Sequence, residues 1–175
     1  MKFKYLFLFF FLAFLLSINS CRKFTSNAIE FLGSDSISSV IFPAPLGTVS
    51  DFEEVLTAEQ IRSLDSIIIL HERRKNNKIS IVSVESIKPY ETLNEYSIDL
   101  LNNWKQVDDG KHSVAICFSK RQNDIQIITG NGLRKKLTEK ESKRIIQNNI
   151  QPEFEKGDYY LGLKKGLQKI IKEIE

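Results

Sequence analysis

The sequence predicts an α/β fold, a three-layer α/β/α sandwich whose mixed sheet contains one antiparallel hairpin. Short β-branched runs alternate with longer segments whose apolar residues recur at helical spacing. The run Ser113–Ser119 is almost entirely apolar, which is typical of a strand covered on both faces. A second apolar run, Ile125–Thr129, follows after a loop short enough for a hairpin.

The N-terminus has the layout of a bacterial lipoprotein signal. Lys2 and Lys4 precede an apolar stretch, Tyr5–Leu16, that is shorter than the roughly 20 helical residues needed to span a bilayer. A small residue precedes Cys21, so a signal peptidase would leave this cysteine first and ready for lipid attachment. We therefore expect residues 1–20 to be a signal peptide and the protein to be lipid-anchored in the cell envelope.

Residues 21–42 are expected to form the lipidated cysteine and a flexible tether, and residues 43–175 to form one folded domain. No acidic cluster follows Cys21, which favours a periplasm-facing anchor. The formal net charge of +3 is small, so nothing indicates nucleic acid binding. Cys117 lies in an apolar strand and should be a buried hydrophobic residue. The two histidines are far apart and no zinc pattern is present, so no resident cofactor is expected.

The first half of the domain carries clear helix and strand signals. Thr57 should cap the first helix, with Gln60 completing a capping box. The β-branched run Lys78–Val84 predicts a strand. Pro89 is expected in the first turn of a second helix, where its missing N–H costs nothing.

The final third is predicted to be helical. Thr138 caps a helix that Pro152 should end, because proline cannot donate the backbone hydrogen bond that a helix interior needs. Asp158 is a suitable N-cap for the last helix. Gly162 and Gly166 lie four residues apart on that helix and should let it pack closely on the sheet.

Several phrases, taken in order, resemble the TPM domain family across residues 43–174. They are Val49-Ser50-Asp51, Lys78–Val84, Gly130-Asn131-Gly132-Leu133 and Gly157-Asp158-Tyr159. The resemblance implies a sandwich fold outside the cytosol and an association with membrane complexes. It also implies acid-phosphatase-like activity or calcium binding, since some relatives show one or the other.

Two acidic positions of the family are basic in this chain. Members usually have Asp-Asn-Gly before the central strand, and this chain has Lys111-His112-Ser113 there. Members usually have Gly-x-Gly-Leu-Glu after the hairpin, and this chain has Arg134 in place of the final Glu. Calcium takes roughly six to eight oxygen ligands, so we expect a degenerate calcium site with Asp51 as its remaining candidate ligand. Lys111 or Arg134 is predicted to pair with Asp51 in place of the metal.

The same residues could serve a phosphomonoester hydrolase. Asp51 would be the nucleophile or base and His112 the general acid. An anion pocket would come from Lys111, Gly130, Asn131, Gly132 and Arg134. The alternative interpretation is a solvated polar rim whose glycines form turns.

A binding role is the other class of function. Tyr159 and Tyr160 begin the last helix, and helical spacing turns one of them outward, where it could contact a partner. We therefore predict a lipid-anchored envelope module that binds a membrane protein and supports its assembly or maintenance. A weak phosphatase and a degenerate calcium-binding domain remain the alternatives.

Overall fold

The computed structural model describes residues 40–105 and 112–175, of which 41–175 belong to one compact unit. The predicted signal peptide, Cys21, most of the tether and Lys111 lie outside the described residues. Within the described ranges, no helix has both the length and the apolar character needed to cross a membrane.

Four strands form one mixed sheet in the order β1-β2-β3-β4. The first three are parallel, and β4 is antiparallel to β3, which confirms the predicted hairpin. Their bounds are β1 Val49–Asp51, β2 Lys78–Ser83, β3 Ser113–Ser119 and β4 Asp124–Thr129. β1 was not expected as a strand, because three residues are too few to show a period of two.

Helices cover both faces of this sheet, as the sandwich prediction requires. Their bounds are α1 Ala58–Lys75, α2 Leu93–Asn103, α3 Glu139–Ile145, a π-helical turn Ile146–Ile150, α4 Gln151–Phe154 and α5 Tyr159–Ile174. One hydrophobic cluster joins α1, α3, the π turn and α5 to one face, and a second joins α2 to the other. All seven residues of β3 are buried between them, including Cys117, whose burial raises the pKa of its thiol to about 12.

The caps of the first two helices differ in how well they match the prediction. The capping box of Thr57 and Gln60 is present as expected. Pro89, however, does not begin α2; it follows a cis peptide bond in the preceding turn. Thr92 caps the helix instead, because its hydroxyl accepts from the backbone N–H of Glu95 at 3.2 Å.

Pro152 does not end the helix that begins after Thr138, which corrects the prediction. The chain widens into the π turn, where the N–H of Gln151 donates to the carbonyl of Ile146, and then continues as α4. Proline has no N–H to donate to the carbonyl of Asn148 and its ring crowds that carbonyl. A wider turn relieves this conflict without breaking the helix.

Gly162 and Gly166 permit a close approach, but to a different neighbour from the one predicted. A Cβ at Gly162 would lie 2.9 Å from the carbonyl oxygen of Ile150 and 2.8 Å from the ring of Phe154. A Cβ at Gly166 would lie 2.6 Å from the side chain of Ile150. The two glycines therefore seat α5 against the π turn and α4, more than against the sheet.

Candidate functional site

Asp51 lies at the carboxyl end of β1, where both of its side-chain oxygens are used by the fold. Oδ1 accepts from the hydroxyl of Ser83 at 2.7 Å, and Oδ2 accepts from the N–H of Leu56 at 2.8 Å. The same Ser83 oxygen accepts from the N–H of Glu53 at 2.8 Å. Asp51 is only 8% exposed, so it acts here as the anchor of the loop between β1 and α1.

The other candidate catalytic residue, His112, lies at the opposite end of the sheet. Asp51 pairs with Ser83, which pairs with Phe118 near the end of β3, whereas His112 immediately precedes β3. His112 lies six residues before Phe118, which is a distance of about 20 Å at a rise of about 3.3 Å per residue. The structure therefore does not bring Asp51 and His112 together in one cavity.

The glycine loop and Arg134 also lie at the His112 end. The N–H of Gly130 donates to the carbonyl of Ser113 at 2.8 Å, and Asn131 and Gly132 are exposed in the turn that follows. Arg134 donates from Nε to the carbonyl of Thr129 at 3.4 Å. The predicted pairing of Arg134 with Asp51 is wrong, because the length of β3 separates them.

The described residues at or next to the family's acidic positions do not fit calcium. His112 offers an imidazole, and Arg134 is a cation that already donates to a backbone carbonyl. Calcium binds oxygen ligands with carboxylates prominent among them. In the described part of the chain, no group of three or more His, Cys, Asp or Glu side chains is placed to hold a metal.

A cleft lies beside Asp51, at the carboxyl ends of the three parallel strands. Its volume is about 620 Å³. The loops after β1, β2 and β3 supply its lining, which consists of Phe52, Glu53, Glu54, Glu85, Lys120 and Arg121. In open α/β sheets, ligands bind in the crevice outside the carboxyl ends of the strands, so this is the candidate functional site.

Backbone hydrogen bonds hold the cleft in shape. The carboxylate of Glu53 accepts from the N–H of Lys120 at 2.7 Å and from that of Arg121 at 3.2 Å, which ties the first loop to the β3–β4 turn. Arg121 forms an ion pair with Glu85 at 3.4 Å, but both side chains are exposed and the pair adds little stability. These two groups are therefore available to a ligand.

Sequence reasoning missed this cleft, although a signal for it was present. Charged pairs follow β1 at Glu53-Glu54 and β3 at Lys120-Arg121, and Glu85 follows β2, which lies between them in the sheet. The carboxyl ends of parallel strands meet at one edge of the sheet, so these loops had to converge once β1 was recognised as a strand.

The two tyrosines that were candidates for partner contact are half-buried and engaged within the fold. The ring of Tyr159 packs on Phe154 at 4.8 Å between centroids, and Lys120 Nζ lies 5.8 Å from its centre. The hydroxyl of Tyr160 contacts Ser63 Oγ at 2.9 Å, joining α5 to α1. Tyr159 borders the cleft through Lys120, whereas Tyr160 serves packing between helices.

Comparisons with known proteins agree with this architecture. A family model described as the TPM domain matches residues 49–173. No curated protein sequence matches. The solution structure of an N-terminal domain from P. gingivalis is similar, with a TM-score of 0.67, 20% identity, and coverage of 72% of this chain and 80% of that chain.

Two further solution structures share the fold. The BA42 protein of Bizionia argentinensis has a TM-score of 0.61 and 21% identity, covering 70% of this chain and 83% of that chain. The N-terminal domain of the cg2496 protein of Corynebacterium glutamicum has a TM-score of 0.56 and 12% identity, covering 78% of this chain and 87% of that chain. At these identities the likeness concerns the fold alone.

Proposed function

The chain belongs to the TPM domain family, and on that premise we propose that it is a lipid-anchored binding module of the bacterial envelope. In this proposal the cleft holds a polypeptide segment of a membrane-protein partner and so supports assembly or maintenance of that partner. The cleft at the carboxyl ends of β1, β2 and β3 is the observation that carries the proposal.

The lining of the cleft suits a polypeptide ligand. Glu54 and Glu85 present carboxylates, Lys120 and Arg121 present cations, and Phe52 offers a half-buried ring. Such a surface can receive charged side chains of both signs and an apolar side chain from one extended segment. The volume of about 620 Å³ lies within the usual range of binding pockets.

The same lining favours binding over phosphoester hydrolysis. Phosphoryl transfer needs a nucleophile or an activated water together with positive charge on the phosphoryl oxygens. The described lining residues include no hydroxyl, thiol or imidazole. Of the three lining carboxylates, Glu53 already accepts from two backbone N–H groups, and Glu54 and Glu85 are exposed to water. Asp51 and Ser83 lie nearby, but they bond to each other, and His112 lies at the other end of β3.

In-cell photo-crosslinking tests this proposal. A photo-reactive amino acid replaces Glu54 on the rim of the cleft in the full chain, and the matched control carries it at Asn131, an exposed position at the opposite end of the sheet. We expect a discrete adduct with an envelope protein from position 54 only, and Arg121→Glu should weaken it. No adduct at position 54, or the same adduct from both positions, would contradict the proposal.

A further inference from the structure

A second groove, of about 390 Å³, lies between the π turn and α5. Its lining contains only ammonium and carboxamide side chains, from Asn148, Asn149, Lys165, Gln168, Lys169 and Lys172. Three of these, Lys165, Lys169 and Lys172, follow one another at helical spacings of four and three residues and so share one face of α5. Every lining side chain can donate a hydrogen bond, and none is a carboxylate.

The carboxylates near this groove are already committed to other cations. The carboxylate of Glu153 accepts hydrogen bonds from the ammonium groups of Lys165 at 2.7 Å and Lys156 at 3.1 Å. These hydrogen bonds lower the pKa of its carboxyl group. Glu173 faces Arg144 at 3.6 Å. Among the described residues, Lys169 and Lys172 have no ion-pair partner, so the groove keeps an uncompensated positive charge.

The π turn shapes the wall opposite the lysines. Pro152 forces the chain to widen just before α4, and the widened turn carries Asn148 and Asn149 into the lining of the groove. π-helical turns are rare and frequently occur at functional sites. The groove thus has the carboxamides of Asn148 and Asn149 on one side and the ammonium groups of α5 on the other.

We propose that this groove binds a phosphate group, either on a lipid headgroup or on a soluble phosphate compound. Lys169 and Lys172 supply the charge, since lysine binds phosphate as a point charge. The carboxamides of Asn148, Asn149 and Gln168 supply hydrogen bonds to the phosphate oxygens. The site is separate from the cleft, so the proposal does not depend on the function assigned to the cleft.

The first arm of the test uses vesicles. The chain from residue 22 onward contains the whole compact unit and both hydrophobic clusters, and it lacks the expected lipid anchor. Its co-sedimentation is measured with vesicles of phosphatidylglycerol and phosphatidylcholine and with phosphatidylcholine alone. The double variant Lys169→Glu/Lys172→Glu should lower partitioning onto the anionic vesicles by at least about tenfold, because each lysine near such a surface contributes substantially.

The matched control is Lys88→Glu/Lys105→Glu, which reverses the same number of charges at two exposed lysines on either side of α2 in the sequence. It should change partitioning by less than about twofold, whereas a loss equal to that of the Lys169→Glu/Lys172→Glu variant would mean that net charge alone attracts the vesicles. Thermal melting of each variant checks that the domain remains folded.

The second arm uses pyrophosphate and follows backbone amide signals by NMR. Saturable shifts confined to Asn148, Asn149 and the Gln168–Lys172 stretch, absent in the Lys169→Glu/Lys172→Glu variant, would place a soluble phosphate compound in the groove. Vesicle binding that depends on the two lysines would place a lipid headgroup there. Failure of both arms, or equal loss with the Lys88→Glu/Lys105→Glu control, overturns the proposal.

Discussion

Replacement of Asp51 by alanine should destabilise the domain. Two buried or partly buried donors, the hydroxyl of Ser83 and the N–H of Leu56, would lose their acceptor. A donor left without a partner costs about 1–3 kcal/mol. Water can reach the partly buried N–H of Leu56 more easily than the fully buried Ser83, so we expect a loss of about 3 kcal/mol in total.

Urea unfolding of the chain from residue 22 onward, followed by circular dichroism, measures this loss. With a denaturant slope of about 1.5 kcal/mol per molar, the midpoint should fall by about 2 M. Asp51→Asn keeps one acceptor oxygen and should lose about half as much free energy. Glu91→Ala removes an exposed carboxylate that forms no ion pair with the described residues and should change stability by less than about 0.5 kcal/mol.

A double-mutant cycle with Ser83→Ala isolates the contact between the two side chains. Residues in direct hydrogen-bond contact couple by about 0.5–3 kcal/mol, and we expect a value near the middle of this range. An Asp51→Ala variant as stable as the parent would refute the reasoning. Such a result would instead suit a strained functional carboxylate, whose removal often stabilises a protein.

Three further predictions concern other parts of the chain. The pKa of His71 lies below its ordinary 6.5, because the effect of burial outweighs the opposing attraction of Glu175. At this residue the unfolded chain therefore binds protons more readily than the folded chain. The free energy of unfolding should fall as the pH drops below about 6.5. In thermal melts across this range His71→Gln should reduce that dependence, whereas exposed His112→Gln should keep it. Gly162→Ala should lower the free energy of unfolding in urea by about 1–2 kcal/mol, since the clash with a backbone carbonyl outweighs the better helix propensity of alanine. Gln168→Ala, on the exposed side of the same helix, should lower it by less. Cys21→Ser should abolish incorporation of labelled palmitate in cells and release the protein from the membrane fraction, and unchanged labelling would rule out this anchor.

Much of the fold was predictable because its signals are local. The capping box at Thr57, the apolar run of β3 and the N-cap at Asp158 depend on residues within one turn or one strand. β1 was missed because its three residues become a strand only by pairing with β2, far along the chain. Pro152 was misread as a helix end because a π turn lets the chain continue past a proline, and no local sequence pattern signals that turn.

The candidate site was harder to predict, because it depends on which strand ends meet. Asp51 and Arg134 were grouped from the family pattern, but parallel pairing places Asp51 at the carboxyl end of the sheet, and the antiparallel return of β4 places Arg134 at the other. Strand direction is a long-range property that no local motif in this chain reports. The cleft lined by Glu53 and Lys120 became visible only with the strand order.

A charge swap across the cleft tests the binding account most directly. Glu85→Arg combined with Arg121→Glu reverses the pair that spans the cleft while keeping its attraction and the net charge. The swapped domain should melt within about 2 °C of the parent, because an exposed ion pair contributes little stability. The account predicts that the in-cell adduct from position 54 is lost in this folded variant, because the charges that the partner contacts at positions 85 and 121 are reversed. An adduct formed in full by the swapped variant would contradict the claim that the cleft binds the partner.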